Sequence, residues 1–506
     1  MCGIAGIWGG ASEQKDIEAM LKRMVHRGPD AHGLFAGENG RLGHRRLSIM
    51  DPTGGDQPIY NENREHVIVA NGEIYNCKAL RKDLDKSHTF TTTSDSEAAL
   101  HLYDDIGPDV VNKLDGMYAF AIADNKNIFA ARDAIGIKPL YYSEEGGKFW
   151  LSSELNALAQ HVDDIKEFPP GTFYHSNTGF KKFYSVPDIA PHDESEEYYI
   201  QRIRETLEEC VVKRLMSDVP LGAFLSGGLD SSLIVALARK NLGQPFHTFS
   251  VGMENSRDLE AARMLSGHLD TIHHEHILTI EEIMSKLPEI IYHLESFDRD
   301  LVRSAIPCYF TSRLAAENVK VILTGEGADE LFAGYSYYKD IEDIDDVLHR
   351  ELRRSVSALH NVNLQRVDRL TMAHSIEGRV PFLDLEMIKL GQEIPAKYKL
   401  RGEPQVEKWI LRKAFEDLLP DEILWREKEQ FDEGSGTVDL LDQELSNVMT
   451  ADEAKAYQSE HPEAGLRCAE ECFYHKIFME VYDRPEPILA NVGRWAERPE
   501  WINGEV

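Results

Sequence analysis

The chain has 506 residues, with 87 acidic and 55 basic side chains, so its formal net charge is −32 at pH 7. This length predicts at least two large domains, because a single hydrophobic core stops growing at about 250–300 residues. The negative charge argues against non-specific binding to nucleic acid, and without an apolar run of about 18 residues no membrane-spanning helix is expected.

The first residues and the cysteines indicate the compartment. The N-terminal segment has neither the basic region nor the apolar region of a signal peptide. Six cysteines are too few for a disulfide framework in a chain of this length, and none forms a CxxC pair. We therefore expect a cytoplasmic protein, with neither nucleic acid nor a membrane among its partners.

The first domain begins with the sequence MCGIAGIWGG, in which a cysteine directly precedes a predicted strand. Removal of Met1 would leave this thiol beside a free α-amino group. Up to about residue 185, short apolar runs such as HVIVANGEIY and MYAFAIAD alternate with Gly, Asn and Asp turns. This pattern predicts a strand-rich domain of mixed α and β structure, which we assign to residues 2–190.

The second domain follows a segment with the composition of a linker, SVPDIAPHDESEE. Because this segment combines proline and acidic residues without an apolar period, we place the boundary at 185–198 and the second domain at 198–506. Strands then alternate with helices, as in GAFLSGGLDSSLIVALARK and VKVILTG. The alternation predicts a doubly wound α/β domain, and the later patterns predict a helical C-terminal part.

The motif SGGLDSS, Ser226–Ser232, lies where a predicted strand ends and a helix begins. Its glycines allow a tight turn, and backbone amides at a helix N-terminus bind anions. A plain turn would need only one glycine, so we favour a polyphosphate site with Asp230 available for Mg²⁺. The motif is neither a Walker P-loop nor a dinucleotide-binding GxGxxG sequence.

A second motif, LTGEGADELFAGY at 323–335, brings Glu326, Asp329 and Glu330 into one turn after another predicted strand. Acidic residues are common at helix N-termini, where they stabilise the helix dipole. Beside a phosphate loop, however, we favour carboxylates that bind Mg²⁺ or move a proton. The histidine-rich segment HHEH at 273–276 lacks the HExxH spacing and lies in a predicted strand, so we interpret it as structural.

These motifs occur in the order typical of one family. SGGLDSS resembles the pyrophosphate loop of the ATP pyrophosphatases, and over nearly all its length the chain resembles the glutamine-hydrolysing asparagine synthetases. The first domain carries MCGI, HRGPD, RLSI, NGEIYN, SDSE and RDAIGIKPLYY, in the order of class II glutamine amidotransferases. The second carries SGGLDSS, SVG, TGEGADE, EGRVPFLD and KEQF.

The resemblance implies an N-terminal αββα sandwich of the N-terminal-nucleophile hydrolase type. It makes Cys2 the nucleophile that attacks the glutamine amide, with its α-amino group as the base. Asn71 and Gly72 match the oxyanion hole. The implied glutamine-binding residues are Arg46, Leu47, Ser48, Ile49, Met50, Asn71, Gly72, Glu73 and Asp95.

In the second domain, the resemblance implies that aspartate and ATP form β-aspartyl-AMP, which ammonia from glutamine then converts to asparagine. Glu326 matches the glutamate tied to formation of the intermediate, and Asp230 and Asp329 match the Mg²⁺ ligands. The family also implies a homodimer. The implied ATP-binding residues are Leu225, Ser226, Gly227, Gly228, Asp230, Ser231, Ser232, Val251, Thr324, Gly325 and Lys428.

Two other functions remain open on the residues alone: a sibling amidotransferase that amidates another carboxylate, and a non-catalytic binding protein. Cys2 and the intact acidic motifs argue against a non-catalytic binding protein. Two segments resemble the asparagine synthetases, HLESFDRDLVRSAIP at 293–307 and SRDLEAA at 256–262. They argue against a sibling amidotransferase.

Overall fold

The structure is a computed structural model, and it describes residues 2–10, 12–243, 245–254, 256–341, 345–428, 434–436 and 448–494. Lys428 is therefore described, whereas the rest of the predicted KEQF motif lies outside the described residues. Among the described residues, no helix has the length and apolar character needed to cross a membrane.

Residues 2–182, the first lobe, contain two antiparallel sheets. The first sheet has the strand order β10-β8-β9-β1-β3-β2, and the second has the order β12-β11-β7-β6-β5-β4. The strands are β1 (Cys2–Trp8), β2 (Ala31–Ala36), β3 (Gly40–Arg46), β4 (Ile59–Tyr60), β5 (Val67–Ile74), β6 (Gly116–Ala123), β7 (Ile128–Arg132), β8 (Tyr141–Glu145), β9 (Lys148–Ser152), β10 (Lys166–Glu167), β11 (Thr172–His175) and β12 (Gly179–Lys182).

The two sheets pack face to face, and helices cover their outer faces. Along β1, Ile4 and Trp8 point into the core between the sheets, whereas Ala5 and Ile7 pack on the outer side against α1. Both faces of β1 are thus buried, which explains its uninterrupted apolar sequence. The predicted αββα sandwich is confirmed. The helices are α1 (Gln14–Arg23) on the first sheet, α2 (Cys77–Leu84) and α3 (Asp95–Ile106) on the second, and α4 (Leu155–Ala159).

The connection between the lobes has no regular secondary structure from residue 183 to 195, as its composition predicts. The next helix, α5 (Glu196–Lys213), begins two residues before the expected start of the second domain. Ser195 caps it, because its hydroxyl accepts a hydrogen bond from the Tyr198 amide at 3.2 Å.

Residues 196–494, the second lobe, contain a parallel sheet of order β15-β14-β13-β16-β17. Helices cover both faces: α5 and α6 share one core cluster, and the Ala315 end of α9 packs on Phe249 and Ile322 on the other face. This confirms the doubly wound fold. The strands are β13 (Leu221–Phe224), β14 (His247–Gly252), β15 (Ile272–Ile277), β16 (Val321–Leu323) and β17 (Glu377–Arg379).

The described part of the chain after residue 346 is mainly helical, which confirms the predicted C-terminal pattern. The helices of the second lobe after α5 are α6 (Leu229–Leu242), α7 (Arg257–Leu269), α8 (Ile280–Leu294), α9 (Arg299–Ala315), α10 (Ala328–Phe332), α11 (Val347–Ala358), α12 (Asn363–Met372), α13 (Leu385–Glu393), α14 (Ala396–Lys399), α15 (Trp409–Ala414), α16 (Asp421–Leu424), α17 (Ala451–Glu460), α18 (Ala469–Val481) and α19 (Glu486–Leu489).

The interface between the lobes contains buried charged groups. Arg27 of the first lobe pairs with Asp368 of α12 at 2.8 Å, and both side chains are buried. Arg369, also on α12, donates to the carbonyl of Ser153 at 2.8 Å and pairs with Glu295 at 2.7 Å. Buried pairs of this kind require a fixed relative position of the two lobes, because separation would leave the charges uncompensated.

Candidate functional site

Cys2 is the first residue of β1, a central strand of the first sheet. Its backbone nitrogen donates a hydrogen bond to Asn71 Oδ1 at 2.9 Å, and its carbonyl accepts one from Arg27 Nε at 3.0 Å. Burial raises the pKa of the thiol, partly offset by the N-terminal amino group and the Leu47 backbone. The thiol therefore needs an adjacent base before it can attack as thiolate.

Asn71 and Gly72 lie beside Cys2 on β5. Asn71 is fully buried, and its Nδ2 has no hydrogen-bond partner among the described residues. Because Oδ1 is occupied by the Cys2 nitrogen, Nδ2 remains available as a donor to a ligand. Gly72 has φ +148°, and a Cβ at this position would meet the Met117 carbonyl oxygen at 2.0 Å. Only glycine, which has no Cβ, fits at this position of β5.

Two buried carboxylates, Asp95 and Glu73, lie near each other beside Asn71 and Gly72. Asp95, the first residue of α3, accepts a hydrogen bond from the Ile74 amide at 2.6 Å. Burial raises the pKa of Asp95 to about 6, with a smaller contribution from the charge of Glu377. The pKa of Glu73 is raised for the same two reasons, and Glu73 Oε2 has no hydrogen-bond partner among the described residues. Both groups suit a cationic ligand.

In the predicted glutamine-binding segment 46–50, Arg46 lies near Cys2, whereas the residues after it have different surroundings. Arg46 contributes to the electrostatic environment of the Cys2 thiol. Its guanidinium is held by the Asp51 carbonyl at 2.6 Å and the Asp56 carboxylate at 2.7 Å.

The side chains that follow Arg46 point elsewhere. Leu47 and Ile49 are buried at the lobe interface in a cluster with Val321 and Met372, and Met50 packs against that cluster. The backbone amide of Ser48 donates to Asp30 at 2.8 Å. Contacts from Leu47 and Ile49 to a ligand would therefore use their backbone groups.

The second site lies at the carboxyl ends of the parallel strands. β13 has β14 on one side and β16 on the other, so the chain reverses its direction of travel across the sheet at β13. Ligands of open α/β sheets bind at such a switch point. A cleft of about 1340 Å³, including its open mouth, lies there. The predicted residues that line it are Leu225, Ser226, Gly228, Asp230, Ser231, Val251, Thr324, Gly325, Glu326, Asp329 and Lys428.

The SGGLDSS loop is held by its own serines. Ser231 Oγ accepts from the Ser226 amide at 3.2 Å, and Ser226 Oγ accepts from the Gly228 amide at 3.3 Å. Gly227 has φ +74° and packs closely on Ala261. Ser232 is buried and donates its hydroxyl to the Gly228 carbonyl at 2.7 Å. Gly227 and Ser232 thus shape the loop and do not line the cleft.

Two lysines hold the predicted metal ligands together. Lys408 Nζ lies 2.6 Å from both Asp230 Oδ2 and Asp329 Oδ1, and Lys428 Nζ lies 3.0 Å from Asp329 Oδ2. Burial opposes ionisation of Asp329, but the two ammonium groups lower its pKa below the usual value. Both carboxylates thus lie beside concentrated positive charge at the sheet edge.

The remaining acidic residues of this motif have different environments. Glu326 forms an ion pair with Arg366 of α12. Glu330 points away from the cleft, is buried, and accepts a hydrogen bond from Tyr335 Oη at 2.6 Å. Burial and the nearby Asp329 charge raise the pKa of Glu330 to about 7. The motif therefore supplies one carboxylate, Asp329, at the lysines and one glutamate, Glu326, beside an arginine.

Sequence reasoning missed five charged residues of these sites, among them Asp300 of α9, which lines the second site. Lys408 and Arg366 line the second site, and Glu377 and Arg379 of β17 approach the first site from the other lobe. Arg379 Nη2 lies 3.4 Å from Glu73 Oε1. The motif EGRVPFLD contains the last two, but two charged side chains gave no indication of the buried strand β17. No sequence motif indicated that Lys408 would lie in the second site.

Comparison with known proteins identifies the family. Residues 1–180 match the family model described as glutamine amidotransferase domain, and residues 202–346 and 341–501 match that of asparagine synthase. The chain is 38% identical to asparagine synthetase [glutamine-hydrolyzing] 2 of Oryza sativa subsp. japonica, covering 95% of this chain and 85% of that one. This chain belongs to the glutamine-hydrolysing asparagine synthetase family.

A second curated relative agrees with this assignment to the glutamine-hydrolysing asparagine synthetases. The probable asparagine synthetase [glutamine-hydrolyzing] of Dictyostelium discoideum is 37% identical, over 99% of this chain and 97% of that one. Among solved structures, a glutamine phosphoribosylpyrophosphate amidotransferase from B. subtilis aligns at 20% identity and TM-score 0.32, over 50% of this chain and 67% of that chain.

Proposed function

We propose that this chain makes asparagine from aspartate and ATP, with glutamine as nitrogen donor. The observation that carries the proposal is the hydrogen bond from the Cys2 nitrogen to Asn71 Oδ1 at 2.9 Å, which leaves the buried Asn71 Nδ2 free as a donor. Membership of the asparagine synthetase family and the acidic, lysine-lined cleft of the second lobe support the other half of the reaction.

In the first lobe, we propose that Cys2 attacks the side-chain carbonyl carbon of glutamine. After removal of Met1, the α-amino group of Cys2 accepts the thiol proton, and Asn71 Oδ1 holds that amino group in place. Asn71 Nδ2 and the Gly72 amide stabilise the negative charge on the attacked carbonyl oxygen. The C–N bond then breaks as the protonated α-amine gives its proton to the leaving ammonia, and water hydrolyses the thioester to glutamate and the free thiol. Asp95 and Glu73 bind the α-ammonium group, and Arg46 binds the α-carboxylate.

In the second lobe, we propose that a carboxylate oxygen of aspartate attacks the α-phosphorus of ATP and that pyrophosphate leaves. Ammonia from the first lobe then attacks the acyl carbon of β-aspartyl-AMP, and AMP leaves. The SGGLDSS amides and Lys428 bind the phosphates. Glu326, held by Arg366, lies at the reacting end of the cleft.

The residues present fit a Mg²⁺ ion at Asp230 and Asp329. Carboxylate oxygens are the ligands that Mg²⁺ prefers, and Asp230 Oδ1 is buried without a hydrogen-bond partner among the described residues. When bound, the ion would neutralise charge on the polyphosphate and on the leaving pyrophosphate. Lys408 holds the two carboxylates close together.

The acceptor end of the cleft supports a small amino acid as substrate. Asp300, Ser304 and Thr311 of α9 line the cleft opposite the SGGLDSS loop. Asp300 Oδ2 is buried and makes no hydrogen bond among the described residues, although Arg467 Nη1 lies 3.7 Å from it, so it can accept from an ammonium group. We therefore propose that Asp300 binds the α-ammonium of aspartate, which argues against a peptide or sugar acid as acceptor.

The change Cys2→Ala tests the proposal. Glutamine hydrolysis should vanish because the nucleophile is removed, whereas asparagine formation from added ammonium should continue because the second lobe is unchanged. Glutamate and asparagine are measured on the same preparation. Cys77→Ala is the matched control, since Cys77 is another buried thiol of the first lobe, and it should retain both activities.

A substrate series separates this function from a sibling amidotransferase. Pyrophosphate release from ATP is measured with aspartate, glutamate and short acidic peptides in turn. Aspartate should exceed the others by at least tenfold. If another carboxylate exceeds aspartate, or if Cys2→Ala still hydrolyses glutamine, the proposal fails.

A homodimer and a cytoplasmic location remain part of the proposal, on the resemblance to the family. Size-exclusion chromatography with light scattering tests the first. A mass of about one chain at micromolar concentration would contradict it.

A further inference from the structure

Four side chains of the first lobe converge at a point that the proposed reaction does not use. Glu62 follows β4, His88 lies in the loop between α2 and α3, and His101 and Asp104 lie on successive turns of α3. Their ligand atoms all lie within 4.8 Å of one another. Among the described residues, this is the one group of three or more His, Cys, Asp or Glu side chains with that property.

Three distances within the group, two of them to different oxygens of Glu62, are close to the spacing of ligands around a tetrahedral metal ion. His88 Nδ1 lies 3.1 Å from Glu62 Oε1, and His101 Nδ1 lies 3.2 Å from Glu62 Oε2 and 3.9 Å from Asp104 Oδ2. Bonds of about 2.0–2.1 Å to zinc place neighbouring ligands of a tetrahedron about 3.4 Å apart. Two imidazole nitrogens and two carboxylates are a donor set that Zn²⁺ accepts.

His101 provides an independent indication of a ligand. Its side chain is fully buried, and neither ring nitrogen makes a hydrogen bond within the described part of the chain. The ring is clamped between Phe90, edge-on at 4.6 Å between centroids, and His88 at 4.6 Å. Carboxylates lie near both ring nitrogens, but none is placed to make a well-formed hydrogen bond with Nδ1, so a ligand at Nδ1 would account for this arrangement.

The opposite ring nitrogens face a second set of carboxylates. His88 Nε2 lies 3.1 Å from Asp105 Oδ1, and His101 Nε2 lies 3.5 Å from Glu97 Oε1. Each imidazole thus lies between two carboxylates, and in the neutral form that binds a metal it has only one N–H. With that N–H directed outward, the Nδ1 lone pairs face carboxylate oxygens across the centre of the group. A cation at the centre removes this repulsion.

Further contacts fix the carboxylates. Asp104 Oδ1 accepts from His66 Nδ1 at 2.6 Å, and Asp104 Oδ2 accepts from Asn61 Nδ2 at 2.9 Å. Glu97 accepts from the amides and hydroxyls of Thr91 and Thr92. Carboxylates that orient the far nitrogen of a ligating histidine are typical of metal sites in proteins.

We propose that Glu62, His88, His101 and Asp104 bind one divalent transition-metal ion of the Zn²⁺ class, through one oxygen or nitrogen each. The ion joins the β4–β5 turn and the α2–α3 loop to α3. Since α3 begins at Asp95, the site stabilises the helix that carries a proposed glutamine-binding carboxylate. Its role is structural and distinct from the Mg²⁺ site of the second lobe.

Zinc affinity of the full-length chain tests the proposal. The Cys2→Ala background removes the thiol as a competing ligand, and excess Mg²⁺ fills the oxygen site at Asp230 and Asp329. Titration of the metal-free protein with Zn²⁺ against a chromophoric chelator should find one tight site. Glu62→Gln and His88→Gln should weaken it by more than about 100-fold, and His66→Gln, which acts through Asp104, by about 10–100-fold.

His273→Gln is the matched control, because His273 belongs to the other histidine-rich segment and should leave the affinity unchanged. Co²⁺ in place of Zn²⁺ should give the strong visible absorption of a tetrahedral site, and Zn²⁺ should raise the melting temperature of the unsubstituted protein but not of Glu62→Gln. Glu62 is half-exposed, so its substitution does not endanger folding. The proposal is overturned if no tight site is found, or if Glu62→Gln and His88→Gln bind Zn²⁺ as well as the control.

Discussion

At the scale of single residues, Asp95 predicts how glutamine use depends on pH. Its pKa is raised to about 6 by burial, so the carboxylate loses its charge as the pH falls through 6. A neutral Asp95 binds an α-ammonium group weakly, because the Coulombic attraction is gone. We expect kcat/KM for glutamine hydrolysis to fall about tenfold for each pH unit below 6.

The pH profile is measured from pH 5 to 8 for glutamine hydrolysis, with ammonium-dependent synthesis as the control reaction. In Asp95→Asn the activity should be low throughout and should no longer show the step near pH 6. If the fall in glutamine hydrolysis near pH 6 persists in Asp95→Asn, another titrating group causes it.

The residues of the sites could be predicted from the sequence where a local motif carries them. Cys2, Asn71 and Asp230 occur in short patterns whose neighbours, glycines and serines, fix the backbone around them. Lys408 could not be found in this way, since its partners Asp230 and Asp329 are 178 and 79 positions away in the chain. Only the packing of α15 beside the sheet edge brings these charges together.

At the scale of elements, the loop after β16 approaches the first turn of α6, which follows β13, at Gly325. A Cβ at this position would meet Asp230 Cβ and the Ser231 nitrogen, each at 2.9 Å. Gly325→Ala should therefore push this loop away from α6 and lower aspartate-dependent pyrophosphate release by at least tenfold, because phosphate and carboxylate groups would lose their relative position. Glutamine hydrolysis should be unaffected.

Gly267→Ala, in α7, is the control for this substitution because no atom lies within 4 Å of an added Cβ there. It should keep both activities and stabilise the helix by about 0.5–1 kcal/mol. Equal losses of pyrophosphate release in both variants would refute the close-approach explanation.

The elements themselves could be predicted because their patterns are local. Alternating apolar runs and glycine turns indicated the sandwich strands, and strand–turn–helix units indicated the parallel sheet. The three-residue strand β17 was not predicted, since Glu377 and Arg379 are charged. These side chains pair with each other at 2.5 Å, and Arg379 also lies 3.4 Å from Glu73 of the first lobe. Their burial depends on contacts that the sequence pattern does not contain.

At the scale of the whole molecule, Arg369 predicts cooperative unfolding of the two lobes. Arg369 donates to the Ser153 carbonyl of the first lobe, and its partner Glu295 accepts from the first-lobe amides of Leu155 and Asn156. Arg369→Met would leave the buried Glu295 carboxylate without its counter-charge, and breaking a buried pair in this way costs about 3–5 kcal/mol. We expect a lower denaturant midpoint, with both lobes unfolding in one transition. Arg353→Met, which removes a largely solvated pair with Asp188, should cost about 0–1 kcal/mol.

Unfolding is followed by fluorescence and by the loss of each activity. Two separate transitions in the unsubstituted protein, or equal midpoints for Arg369→Met and Arg353→Met, would contradict a charge-locked interface.

The buried pair between Arg27 and Asp368 also affects whether the two lobes could be encoded by separate genes. If the gene were split within the connecting segment 183–195, each product would expose one of these charges and the apolar surface around Leu47 or Val321. Neither half would be a self-sufficient enzyme, and each would need the other during synthesis. Keeping both halves in one open reading frame guarantees equal amounts of each, and it makes recombination at this junction tolerable only between halves whose buried charges match.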